Sequence, residues 1–231
     1  MEIIDSKRKG ADYVSIKNIQ SGLISINNHL VRMALLAEEQ VEDAVRALEE
    51  KDVDLAEQVK AQDSIIDDLQ RVIEDQSIKL IATQQPVASD LRALFTTIKI
   101  VTDVERIADY AVDIARIAIL LKDEDISRSI DEIREMADYA KTMLRDSIDA
   151  YTSKDDERAY EITKMDDEID KGLMNLVKHL YYDLSHDEED RFKASQLNFV
   201  GKYLERIGDH ATNICEWTVY IVTGEYVELN V

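Results

Sequence analysis

Apolar residues return every three or four positions along almost the whole chain, the spacing that stacks them on one face of an α-helix. The longest series is Ile16, Ile19, Leu23, Ile26, Leu30, Met33, Ala37, Val41, Ala44 and Leu48. Its heptad-like rhythm predicts a first helix over about 15–50. Lys51-Asp52-Val53-Asp54 reads as a tight break with Asp52 as N-cap. A second helix over about 53–82 carries Leu55, Val59, Ile66, Leu69, Ile73 and Leu80. Thr83-Gln84-Gln85-Pro86 stops it, and Pro86 is placed to open a third helix over about 87–121.

The same order then repeats. After Lys122-Asp123-Glu124-Asp125 the pattern predicts helices over about 126–151 and 157–183, with Lys154-Asp155-Asp156 as the break between them. Ser185-x-x-Glu188 is a capping signal for a sixth helix ending near Val222, with Gly224 as its stop. The last residues, Tyr226-Val227-Glu228-Leu229, suit an extended segment. Met33-x-x-x-Ala37 returns as Met136-x-x-x-Ala140, and Asp43 as Asp146, an offset of 103. These matches give an all-α fold of two tandem antiparallel three-helix bundles, six long helices related by a pseudo-two-fold internal repeat. The expected units are a flexible lead-in over 1–14, a first repeat over 15–122 and a second over 123–231. One six-helix bundle with a shared core is the alternative.

Composition agrees with helices: 1 Pro and 6 Gly in 231 residues leave few breakers. The formal net charge of -21 counts against binding nucleic acid or an anionic membrane surface. It suits cation binding or docking onto a basic partner. A single cysteine, Cys215, excludes an internal disulfide and a thiolate metal cluster. Without an apolar run long enough to span a bilayer, the expected location is cytoplasmic.

Chemistry enters through acids placed within the apolar rhythm. Glu105 falls on a missing beat of the series Leu94, Ile98, Val101, Ala108, Val112, Ala115 and Ile119, and Asp109 lies one turn further on the same face. Glu-Arg-Ile-x-Asp returns 100 positions later with Glu205 and Asp209. A carboxylate on a core stripe is costly unless paired, protonated or metal-bound. The preceding helices carry Asp63 with Asp67 and Asp166 with Asp170, at matching distances from each turn, so four carboxylates can converge in each half. Oxygen donors at this density suit hard cations. The plainer readings are a solvated acidic face, or neutralisation by the adjacent Arg106 and Arg206. Gly201 and Gly208 leave room for a cation or for close helix packing. His29, His179, His186 and His210 form no ligand cluster; His210 is a candidate second-sphere residue only. Cys215 reads as a packed small residue, and Trp217 with Tyr220 as core or interface.

Two three-helix units, each ending in Glu-Arg-Ile-Ala/Gly-Asp-x-Ala-x-x-Ile, resemble the PhoU family over about residues 28–222. The resemblance implies a cytoplasmic, non-enzymatic negative regulator of phosphate uptake and of the phosphate regulon. Its implied partners are a second copy in a homodimer, the ATPase subunit of a phosphate ABC transporter and a sensor histidine kinase, with membrane association only through partners. It also implies metal clusters (Mg, Mn, Fe, Ca or Zn) on Asp63, Asp67, Glu105 and Asp109, and on Asp166, Asp170, Glu205 and Asp209. Asp113 against Asn213 lets the two sites differ, and Gly208 makes the second motif the better match. A metal-dependent enzyme on the same carboxylates, or a regulator of a different phosphate carrier, are the competing readings.

Overall fold

Where each helix stops is decided by a few residues that can turn the backbone. The computed structural model describes residues 2–183 and 188–229, with side chains described over 18–181 and 188–229. Helix α1 (Glu2–Glu50) ends at Lys51, whose φ of 57° is left-handed. The N–H of Asp52 then donates back to the Ala47 carbonyl at 3.0 Å, closing the last turn. The Asp52 carboxylate in turn accepts from Leu55 N at 2.9 Å and caps α2 (Val53–Gln84). The second half repeats this device at an offset of 103. Helix α4 (Ile130–Ser153) ends at Lys154, also at φ 57°, and Asp155 N donates to Ala150 O at 2.9 Å. Asp155 then caps α5 (Asp156–Ile162) through Arg158 N at 2.9 Å.

Several boundaries differ from the sequence pattern. Helix α1 starts at Glu2, so the residues expected as a lead-in are helical. Helix α3 (Ala88–Leu120) begins two residues after Pro86, which lies outside it, because Gln85 at φ 47° has already turned the chain. The fourth helix starts at Ile130 rather than near 126. Turns closed by Glu124 N to Leu121 O and Ser129 N to Ile126 O fill the gap, and they leave Ile126 buried. The fifth helix is split into α5, a 3-10 turn over Thr163–Met165 and α6 (Asp166–Asp183). Helix α7 (Glu188–Thr223) ends at Gly224, φ 82°, as its position implies. The Ser185 cap signal and His186 lie outside the described residues.

Helices α2, α3, α7 and α6 pack side by side in that order, while α1 covers α2 and α3, and α4 covers α7 and α6. Helix α1 also packs on α4. Each half is thus a three-helix bundle, and the apolar core runs unbroken from one into the other. Ile26, Met33, Ile100 and Ile107 in the first half and Ile133, Met143, Leu204 and Ile214 in the second are essentially inaccessible. The bundles meet along two antiparallel seams. Between α1 and α4, Glu38 pairs with Arg145, Glu42 with Lys141 and Glu49 with Arg134. Between α3 and α7, His210 Nδ1 lies 2.8 Å from the buried Asp103, which also accepts from Asn213 Nδ2 at 3.0 Å. Under the offset of 100, Asp103 and His210 correspond to Tyr203 and Tyr110, and these two rings stack at 5.6 Å. The seam is therefore folded about a pseudo-dyad, with a polar contact on one side and an aromatic one on the other.

The strained lysines and their aspartate caps give opposite mutational signs. Replacing Lys51 with Gly, which adopts positive φ freely, should stabilise the protein by about 1 kcal/mol. Asp155→Ala, which removes the cap of α5, should destabilise it by about 1 kcal/mol. Urea unfolding midpoints of the two variants should move to opposite sides of the parent.

Candidate metal centres

Helices α2 and α3 run antiparallel from the turn at Gln85, which brings the middle of one against the middle of the other. Asp63, Asp67, Glu105 and Asp109 consequently share one groove, each acid lying in the field of others. Burial and then Asp67 and Asp109 raise the pKa of Asp63; burial and then Asp109 raise that of Glu105, against the opposing pull of Arg106. Glu105 stands at the groove edge with 19% of its side chain accessible, and so is not fully within the core as its place in the apolar series suggests. Asp63, Asp109 and Asp113 line a cavity of about 280 Å³ together with Arg106, Tyr110 and Arg116.

The second groove, between α6 and α7, is tighter. A β-carbon on Gly208 would lie 2.7 Å from Asp166 Oδ1 and 2.9 Å from Ile169, so the glycine's missing side chain is filled by the Asp166 carboxylate. Gly201 admits Leu176 and Leu173 in the same way, and close helix approach accounts for both glycines. The 3-10 turn ends immediately before Asp166 and sets its position on α6. Burial, then the charges of Asp209, Asp170 and Glu205, push the Asp166 carboxyl up to about 7. Asp170 is raised by burial, then by Glu205 and Asp209.

Basic side chains take up much of this charge. Arg106 Nη1 lies 2.8 Å from Asp109 and its Nε 3.6 Å from Glu105. Arg206 repeats the arrangement at 3.3 Å from Asp209 and 3.9 Å from Glu205. The second groove adds Lys202, 2.6 Å from Glu205, at a position that Thr102 fills in the first half. The buried Oε2 of Glu205 has no hydrogen-bond donor. Among the described residues, no three Asp, Glu, His or Cys side chains are arranged so as to hold one metal ion. The donor chemistry of both grooves, all oxygen and strongly self-repelling, matches a hard cation. Their side-chain orientations instead favour the neighbouring arginines and Lys202.

Other singled-out residues fall elsewhere. His210 turns away from the groove to Asp103. Cys215 is fully buried and its thiol is pushed up to about 12 by burial, so it is inert packing. Asp103 and Glu216 were not marked by motif, although both are acids within apolar runs, the same signal that marks Glu105.

The grooves give stability a definite pH dependence. Asp166 titrates near 7 when folded and near its ordinary 3.8 when unfolded, so the folded state holds the proton longer. Stability of the metal-free protein should therefore fall as pH rises from about 4 to about 7. Asp166→Asn should flatten this slope and stabilise the protein at pH 8, as measured by urea unfolding in the presence of EDTA.

The PhoU domain profile matches twice, over residues 30–118 and 133–218, one match in each repeat. A phosphate-specific transport system accessory protein PhoU homolog from Clostridium acetobutylicum is 45% identical over 93% of this chain and 98% of its own length. One from Pseudomonas putida is 38% identical over 87% of this chain and 79% of its own. The crystal structure of PhoU from Pseudomonas aeruginosa superposes with a TM-score of 0.84, at 33% identity, covering 89% of this chain and 99% of that one. A phosphate transport system regulatory protein PhoU from Streptococcus pneumoniae gives 0.84 at 29% identity, over 91% and 100%. With a matched profile in each half, full-length relatives and the same arrangement of helices, the chain belongs to the PhoU family.

Proposed function

We propose that this protein is a negative regulator of phosphate uptake that works as a metal-responsive adaptor. Its general role as a PhoU-family member is regulatory and non-enzymatic. The observation that carries the finer reading is the pair of carboxylate grooves at equivalent places in the two repeats. The first lies between α2 and α3 and the second between α6 and α7. In each, a cation would replace the repulsion among four carboxylates with shared coordination, and would compete with Arg106, Arg206 and Lys202 for the same oxygens. The residues that would hold it are Asp63, Asp67, Glu105 and Asp109 in the first groove, and Asp166, Asp170, Glu205 and Asp209 in the second. Mg, Mn, Fe, Ca and Zn are the candidate ions, with oxygen-preferring ones favoured by the donor set.

Partners follow from the same reading: a second copy, the ATPase subunit of a phosphate ABC transporter and a sensor histidine kinase. Among the described residues no helix is long and apolar enough to cross a membrane, so contact with a membrane transporter is assigned to these proteins. A regulator of a different phosphate carrier would share the grooves but not the ATPase partner.

Metal content by elemental analysis and thermal melting test this reading together. Manganese at a hundredfold excess over its Kd should stabilise the protein by about 2.7 kcal/mol. Glu205→Ala with Asp209→Ala should remove about half of the bound metal and of that protection. Melting that ignores both manganese and magnesium would sink the metal-responsive part. Failure of an affinity-tagged chain to retain the transporter ATPase would point to the other carrier.

A further inference from the structure

Helix α7 does not simply end the fold. Gly224 reverses the chain beside Arg92, whose guanidinium would meet a β-carbon there at 2.8 Å. Residues 225–229 then return over the α3–α7 seam without regular secondary structure. There they meet Glu216, an acid only 4% exposed. Tyr226 donates its hydroxyl to Glu216 Oε2 at 2.8 Å, and the Leu229 N–H donates to Oε1 at 2.7 Å. One short segment thereby supplies a donor to each oxygen of a buried carboxylate. The wall beside it is aromatic: the Tyr226 ring lies 5.2 Å from Trp217, which meets Phe95 and Tyr220 edge-on at 6.1 and 5.9 Å. Two cations cover this wall, Arg92 over Tyr220 and Lys99 over Phe95.

The groove and its occupant differ in how firmly they are held. Glu216, Trp217, Tyr220, Phe95, Arg92 and Lys99 stand on two long helices packed into the core. The segment is held by the two bonds to Glu216, by two bonds between Glu225 and the Thr223 hydroxyl, by the Tyr226–Trp217 ring contact and by the half-buried Val227 and Leu229, while Tyr226 stays 52% exposed. Segments with so few buried contacts open at small cost compared with global unfolding. Once it lifts, Glu216 is left needing an O–H and an N–H donor, and a buried carboxylate without them is unfavourable. The segment carries Glu225 and Glu228, acids that suit the local rim of Arg92 and Lys99, two cations that set this patch apart from a chain of net charge -21.

We propose that this groove is a peptide-docking site that the chain's own C-terminal segment keeps closed. Its external occupant is an extended acidic segment of a partner protein, with a tyrosine three positions ahead of an aliphatic residue. The tyrosine hydroxyl and the later backbone N–H take the two oxygens of Glu216. The residue spacing follows from Tyr226 and Leu229, which already satisfy the site from within. The site is separate from the carboxylate grooves and stands whether or not those bind metal.

The test uses the full-length chain and a fluorescein-labelled peptide, Gly-Glu-Tyr-Val-Glu-Leu, amidated at its C-terminus. In the parent protein the tethered segment competes at an effective concentration in the millimolar range, so Tyr226→Ala should raise peptide affinity about tenfold by fluorescence anisotropy. A peptide with Phe in place of Tyr should bind the variant more weakly, because it lacks the hydroxyl for Glu216. Trp217 is the chain's single tryptophan, so its emission should shift in Tyr226→Ala and return towards the parent on peptide addition. Far-UV circular dichroism confirms that the variant keeps its helices, as expected for a substitution at a half-exposed side chain. Equal affinity for parent and variant, equal affinity of the Tyr and Phe peptides, or no binding to the variant at millimolar peptide would each overturn the proposal.

Discussion

The antiparallel contact of α3 with α7 is the interaction on which the rest of the structure depends. It joins the two cores into one, and it fixes the carboxylate grooves at equal distances on either side of a pseudo-dyad. Its two symmetry-related contacts have been filled differently. Asp103 with His210 and Asn213 makes a buried polar junction, whereas the matching Tyr110 and Tyr203 stack. Buried polar junctions of this kind add little net energy but are costly to leave half-satisfied, so they favour one register of the two helices over its neighbours.

Small changes between the repeats have assigned different tasks to equivalent helix positions. In the first repeat Asp113 and Arg116 form an ion pair on the surface of α3. The corresponding residues of α7 are Asn213 and Glu216. Asn213 has been drawn into the junction with Asp103, and Glu216 has become the carboxylate under the C-terminal segment. Lys202, where the first repeat has Thr102, brings a cation within reach of Glu205. The two grooves therefore share a donor set but carry different electrostatic surroundings.

The sequence made the helices and the repeat readable because they rest on local periodicity and on a turn with its own chemistry. Asp52 was identifiable as a cap, since a cap is a relation among residues three apart, whereas Asp155 was marked only as part of the repeated break. The groove acids were also legible, because Glu105 and Glu205 interrupt an apolar stripe and Asp166 lies at a computable height opposite. The split at Thr163–Met165 was not, because no Gly or Pro marks it. Nor was the choice of partner for each acid. Whether a carboxylate turns to another carboxylate, to Arg106 or to a tail hydroxyl depends on neighbours distant in sequence.

The ion pairs between α1 and α4 have a consequence of their own. The acids Glu38, Glu42 and Glu49 all come from the first bundle, and the bases Arg145, Lys141 and Arg134 all from the second. Glu38 and Lys141 occupy equivalent positions, as do Glu42 and Arg145. If two first bundles from separate chains met along this seam, glutamates would face glutamates; two second bundles would oppose lysine and arginine. Each such pair adds at most about 1 kcal/mol at the surface, yet opposing like charges reverses that sign where Glu38 would face Glu42 or Lys141 would face Arg145. The two halves therefore carry complementary charge along this seam, a bias of sign that favours a first bundle meeting a second over either meeting its like.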